Sequence, residues 1–95
     1  MPVLPIKIYK VAERSMEPSI RDGAYLILNC WHSKLRVGEV VVARSPDGTT
    51  VVKRIAKIGG GGLFLVGDNA QKSVDSRKFG WIGREKVVGK VMAVI

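Results

Sequence analysis

Glu39-Val40-Val41-Val42-Ala43-Arg44-Ser45-Pro46-Asp47-Gly48-Thr49-Thr50-Val51-Val52-Lys53-Arg54-Ile55-Ala56-Lys57-Ile58 decides the fold of this chain. Two β-branched runs flank Ser45-Pro46-Asp47-Gly48, where proline presets φ and glycine tolerates positive φ. The pattern predicts a hairpin between strands at residues 39–44 and 49–58. Outward from it, short β-rich runs recur at residues 6–11, 24–28, 63–66 and 87–94, with turn chemistry at Asp22-Gly23 and across the four glycines 59–62. No segment repeats apolar residues at i, i+3, i+4 and i+7 over three turns, so helix signals are nearly absent. The expectation is a mostly β domain: a small folded antiparallel sheet or partly open barrel.

Ninety-five residues fit one domain, expected over residues 1–95, and leave no room for a second core. Hydrophobic residues at 46% and charged residues at 25% match globular usage and argue against disorder. No apolar run reaches the 18 residues of a membrane-spanning helix, and residues 1–10 lack the plan of a removable signal peptide. No membrane anchor is expected, which places the chain in the cytoplasm or at the membrane periphery. Sixteen basic against eight acidic residues give a net charge of +8. Such a balance suits nucleic acid, anionic headgroups or acidic partners, but the cations are spread from Lys7 to Lys90 without interleaved aromatics. They read as a solvated surface, and no nucleic-acid partner is expected. The single cysteine, Cys30, excludes an internal disulfide and reads as a small buried hydrophobe.

Two places break local rules, as functional sites tend to. In Thr50-Val51-Val52-Lys53-Arg54-Ile55-Ala56, alternation puts Lys53 on the face of Val51 and Ile55, and Arg54 on the face of Val52 and Ala56. One cation must therefore point toward an apolar surface. Arginine cannot deprotonate, whereas a buried lysine can, and a neutral amine is a competent general base. The structural alternative is a lysine snorkelling from a half-exposed strand. The second place is Ser15-Met16-Glu17-Pro18-Ser19. A serine is a poor nucleophile without a base to take its proton, and the structural alternative is a polar turn stiffened by Pro18. His32 is the only histidine, and nothing local pairs it with an aspartate for a Ser-His-Asp triad. Cys30 and His32, separated by Trp31, cannot supply the three or four ligands of zinc, so no metal or other cofactor is expected. Serine and lysine without a usable histidine point to the Ser-Lys variant of nucleophilic catalysis.

At these residues the chain resembles the type I signal peptidases. Ser15-Met16-Glu17-Pro18 looks like their nucleophile box and Val52-Lys53-Arg54-Ile55 like their general-base strand. The block Gly67-Asp68-Asn69-Ala70-Gln71-Lys72-Ser73-Val74-Asp75-Ser76-Arg77-Lys78-Phe79-Gly80 looks like their third signature, and Val88-Gly89-Lys90-Val91 like their closing strand. A lone S-M-x-P is also found in self-cleaving SOS repressors, whereas the third block separates the two. The resemblance implies a signal-peptidase-type β core in which Ser15 attacks the scissile carbonyl, Lys53 takes its proton and Ser73 orients the Lys53 amine. It implies a structural charge network of Asp75, Arg77 and Arg54, a turn shaped by Gly67, Asp68 and Asn69, and a substrate cleft lined by Met16 and Pro18.

The departures sharpen the resemblance. Two residues before the nucleophile, where many members carry a hydroxyl or glycine beside the oxyanion hole, this chain has Glu13. A carboxylate there would repel a developing oxyanion, so Glu13 is expected to point away and leave the hole to backbone amides. In place of the family's large β insertion stand only residues 57–66. Minimal forms of this spacing resemble the nickel-type superoxide dismutase maturation proteases. The implied activity is a serine endopeptidase that removes an N-terminal leader or signal peptide from a precursor, bound as an extended strand. Two alternatives come from other classes. One is a non-catalytic basic β module on nucleic acid or anionic surfaces, which has no need of Ser15 and Lys53 together. The other is a self-cleaving repressor-type domain, against which the fourteen residues before Ser15 hold no Ala-Gly or Cys-Gly pair. Trp31, Trp81 and the basic surface also suit peripheral contact with an anionic membrane, although two partly buried tryptophans in a small core are the preferred expectation.

Overall fold

A computed structural model describes residues 5–31 and 34–95; His32 lies outside the described residues. Seven strands form one antiparallel sheet: β1 (Ile6–Lys10), β2 (Tyr25–Asn29), β3 (Val40–Arg44), β4 (Thr50–Gly59), β5 (Gly62–Val66), β6 (Ile82–Gly83) and β7 (Val87–Val94). Their order, β1-β2-β7-β3-β4-β5-β6, leaves β1 and β6 as edges, so the curled sheet is a half-barrel and not a closed one. The mostly β expectation holds, and each strand read from the sequence lies within one residue of an observed one. Missed were the two-residue β6, the four-residue helix α1 (Ser76–Phe79) and two 3₁₀ turns at Ala70–Lys72 and Arg84–Lys86. All are too short to leave a periodic signature.

The hairpin forms as its turn chemistry requires. Gly48 has φ 88°, and Ser45 and Thr49 close the turn, with Ser45 N donating to Thr49 O at 2.9 Å. Strands β3 and β4 then run in register, Val41 opposite Lys53 and Val42 opposite Val52. They are central and covered on both faces, which is why they read as continuous apolar runs rather than alternating ones. On one face Val42 and Val52 join Val11, Met16, Ile20, Leu26 and Leu28 in a core. On the other, Val41, Ala43 and Ile55 pack with Leu35, Leu63, Leu65 and Ile82. Cys30 packs, partly buried, against the first of these cores. Contrary to expectation, neither tryptophan contributes to a core. Trp31 is 67% and Trp81 50% exposed, the latter meeting Phe64 edge-on with centroids 5.4 Å apart.

The connection from β1 to β2 positions the site. Val11 N donates to Ala24 O and Gly23 N to Val11 O, both at 2.8 Å, so the intervening loop is pinched shut at its base. Met16 and Ile20 from this loop are buried in the first core, and Ile20 N donates to Met16 O at 2.9 Å. The loop is therefore held by apolar burial as well as by its ends. Among the described residues no helix is long and apolar enough to cross a membrane.

Candidate functional site

Ser15 is fixed by its neighbour. Met16 is fully buried, which drags Ser15 to the interior end of the loop, where it is 1% exposed. Met16 thus anchors the Ser15 loop in the core and has no surface with which to line a substrate cleft; Pro18 stays exposed on the same loop. Lys53 arrives from β4 on the face of Val51 and Ile55, as alternation predicted, and is 2% exposed. Arg54 takes the opposite face and reaches solvent.

Glu13 joins the two, correcting the expectation that it turns away. Its Oε1 accepts a hydrogen bond from Ser15 Oγ and a second, at 3.0 Å, from Lys53 Nζ. Ser15 Oγ also lies 3.4 Å from Val52 O. Among the described residues Glu13 is the sole hydrogen-bond partner of the Lys53 amine. Glu13 turns inward because Lys53 is buried beside it, and a carboxylate is the natural counter-ion of a buried lysine.

The third signature lies behind this trio, with its parts connected differently than expected. Ser73 donates to Asp75 Oδ2 and makes no hydrogen bond to Lys53. The charge network is two separate pairs. Arg54 grips Asp68 with both arms, Nε to Oδ1 at 2.9 Å and Nη2 to Oδ2 at 2.7 Å, and also donates to Gly38 O at 2.7 Å. Arg77 pairs with Asp75, Nε to Oδ1 at 2.9 Å. Asp75 is 1% exposed; it also receives Gly67 N at 2.8 Å and caps α1 by accepting from Arg77 N at 3.1 Å. Burial pushes its carboxyl up, but the hydrogen bonds from Arg77, Ser73 and Gly67 outweigh that and hold it well below the usual carboxylate range. Hydrogen bonds from Arg54, opposed by burial and aided by Ser19, lower Asp68 in the same way.

Gly67-Asp68-Asn69 straps the loop that carries Ser15. Asn69 N donates to Ser15 O at 2.7 Å, Asn69 Nδ2 to Arg14 O at 3.2 Å, and Ser19 Oγ to Asp68 Oδ2 at 2.7 Å. Gly67 is required by space: a Cβ there would sit 2.6 Å from Ser15 O and press on the Ser73 side chain. Ser19 and Ser76, whose Oγ accepts from Leu65 N at 2.8 Å, were missed; isolated serines carry no local signal of a distant partner. Asp47, Val51, Val74 and Phe79 are among the residues lining a surface concavity, and Ser15, Glu13 and Lys53 are not. Among the described residues no group of three or more His, Cys, Asp or Glu is placed to hold a metal.

A buried hydroxyl, a buried amine and one shared carboxylate oxygen can pass a proton without solvent, and a curled β sheet presenting them is a peptidase-type domain. The chain belongs to the Peptidase S24-like family, which it matches over residues 5–92, and so to enzymes of the serine-peptidase type. No curated protein matches it.

Proposed function

We propose that the protein is a serine endopeptidase in which Ser15 is the nucleophile and Lys53 the general base, and that it removes an N-terminal segment from a precursor protein. The observation that carries this reading is the convergence of Ser15 and Lys53, from a loop and a strand 38 positions apart, onto one carboxylate oxygen in a site almost closed to water. Ser15 Oγ would attack the scissile carbonyl while its proton passes to Lys53. The lysine would return that proton to the leaving amine, and a water activated by the same amine would release the acyl group. Ser73 and Asp75 would support the site through Gly67 and the nucleophile loop and not by touching the amine.

The three signature blocks favour a leader or signal peptide as the segment removed, and their minimal spacing favours a nickel superoxide dismutase precursor. Incubation of a signal-peptide-bearing preprotein and of that precursor with wild-type and Ser15→Ala protein, followed by intact-mass analysis, tests this. Cleavage by wild type alone is the expected result; cleavage of neither, with or without lipid, sinks it.

The family also favours a second reading, a self-cleaving repressor-type domain. Loss of mass from the chain itself on standing, absent in Ser15→Ala, would select that reading. Exposed Ile6, Ile8, Tyr25, Met92 and Val94 beside Lys7 and Lys10 support peripheral contact with an anionic membrane. Flotation with anionic but not with neutral vesicles is the expected behaviour.

A further inference from the structure

The three members of the trio are not equally accessible. Ser15 and Lys53 are 1% and 2% exposed, whereas the Glu13 side chain keeps 24% of its surface in solvent. Glu13 therefore covers the pair. One oxygen accepts from both, so the hydrogen bond that Ser15 must give to Lys53 is given to a carboxylate instead. The amine is also occupied as a donor.

We propose that Glu13 is an autoinhibitory positioning residue: it closes over Ser15 and Lys53 in the resting protein and must swing aside before a substrate carbonyl reaches the serine. This rests on the reading of Ser15 as nucleophile and Lys53 as base. The surroundings leave Glu13 alone in that role. Strand β3 sets Val41 opposite Lys53, and β5 sets Leu65 and Val66 opposite Ile55 and Arg54. Strand β1 brings Tyr9, whose phenol is raised by burial and then by the Glu13 charge. Asp75, across Gly67, is engaged by Ser73, Arg77 and the Gly67 amide. Release needs no unfolding, because Glu13 lies in the loop beyond the end of β1 and its neighbours Ala12 and Arg14 are exposed.

A fluorophosphonate reports on the serine directly: the bond from Ser15 Oγ to phosphorus forms, fluoride leaves and the base takes the proton. Adduct formation is followed by intact mass in wild type, Glu13→Gln, Glu13→Ala and Ser15→Ala, each checked for a cooperative melt. The Gln variant keeps side-chain size should the Ala variant fail to fold. Both Glu13 variants are expected to label about tenfold faster than wild type or more, the rate equivalent of losing one stabilising contact from the resting state. Labelling at the wild-type rate overturns the proposal, and slower labelling does so by making Glu13 a base in its own right. An adduct that persists in Ser15→Ala, or forms in none of the four proteins, overturns the nucleophile reading and the brake with it.

Discussion

The molecule holds two buried ionic contacts built in opposite ways. At Asp75 the carboxylate is buried and its cation, Arg77, is nearly half exposed; at Lys53 the cation is buried and its carboxylate, Glu13, reaches solvent. Asp75 receives hydrogen bonds from Ser73, Arg77 and two backbone amides, so its charged form is held from several sides at once. Lys53 has one partner among the described residues, on a loop. A saturated buried charge is a fastening. A buried charge with a single, partly exposed partner has little else to hold it, and the difference lies in the number of donors and acceptors rather than in the depth of burial.

The largest expected effect separates the two. Lys53→Met should reduce precursor cleavage below detection yet leave thermal unfolding unchanged or slightly raised, because it removes a desolvated amine and strands only a carboxylate that can reach water. A large fall in melting temperature would make Lys53 a fastening like Asp75 and break the contrast. Asp75→Asn should do the reverse, costing about 3 kcal/mol in denaturant unfolding because an amide nitrogen would face the donors now bonded to the carboxylate. Its pH signature has a definite sign. The Asp75 carboxyl is depressed in the folded state, so its contribution is complete above the unfolded value of roughly 4 and is lost as the pH falls below that. Acid titration of stability should therefore be flatter in Asp75→Asn than in wild type; parallel curves would show that the pair contributes nothing.

Gly67→Ala sharpens the comparison, since Gly67 joins the fastening to the Ser15 loop. The added methyl meets Ser15 O and Ser73, for an expected cost of about 1–3 kcal/mol and a fall in kcat out of proportion to the change in KM. Equal loss of both, or none, would mean that the strap does not set the position of Ser15. The smallest effect belongs to Asp47, another carboxylate bonded by the hydroxyl two residues before it, as Asp75 is by Ser73. Ser45 and Thr49 lower its carboxyl to about 2, but it sits exposed on the hairpin turn. Asp47→Asn should leave cleavage and melting temperature nearly unchanged above pH 5. A strong effect would show that the turn, and not burial, decides what such a motif is worth.

Much of this is legible in the amino-acid sequence. The hairpin around Pro46-Asp47-Gly48 and the face of Lys53 follow from turn chemistry and period-two alternation, which are local. The direction of Glu13, the partner of Ser73 and the division of the charge network into Arg54–Asp68 and Arg77–Asp75 are not local. Each depends on which side chains meet across strands and loops, and Ser-x-Asp reads the same at 45–47 as at 73–75. The tryptophans failed for a related reason, since a large apolar residue is drawn inward only if the sheet offers it a covered face.

By itself, then, the sequence determined the class of fold, the places where the chain turns and the residue types able to do acyl-transfer chemistry, because these depend on backbone stereochemistry and on side-chain reactivity carried within a few residues. Only the tertiary structure decided that Glu13 stands between Ser15 and Lys53 and that the two buried charges differ in kind. Desolvation and hydrogen-bond saturation are properties of an enclosed volume, and no stretch of chain encloses one alone.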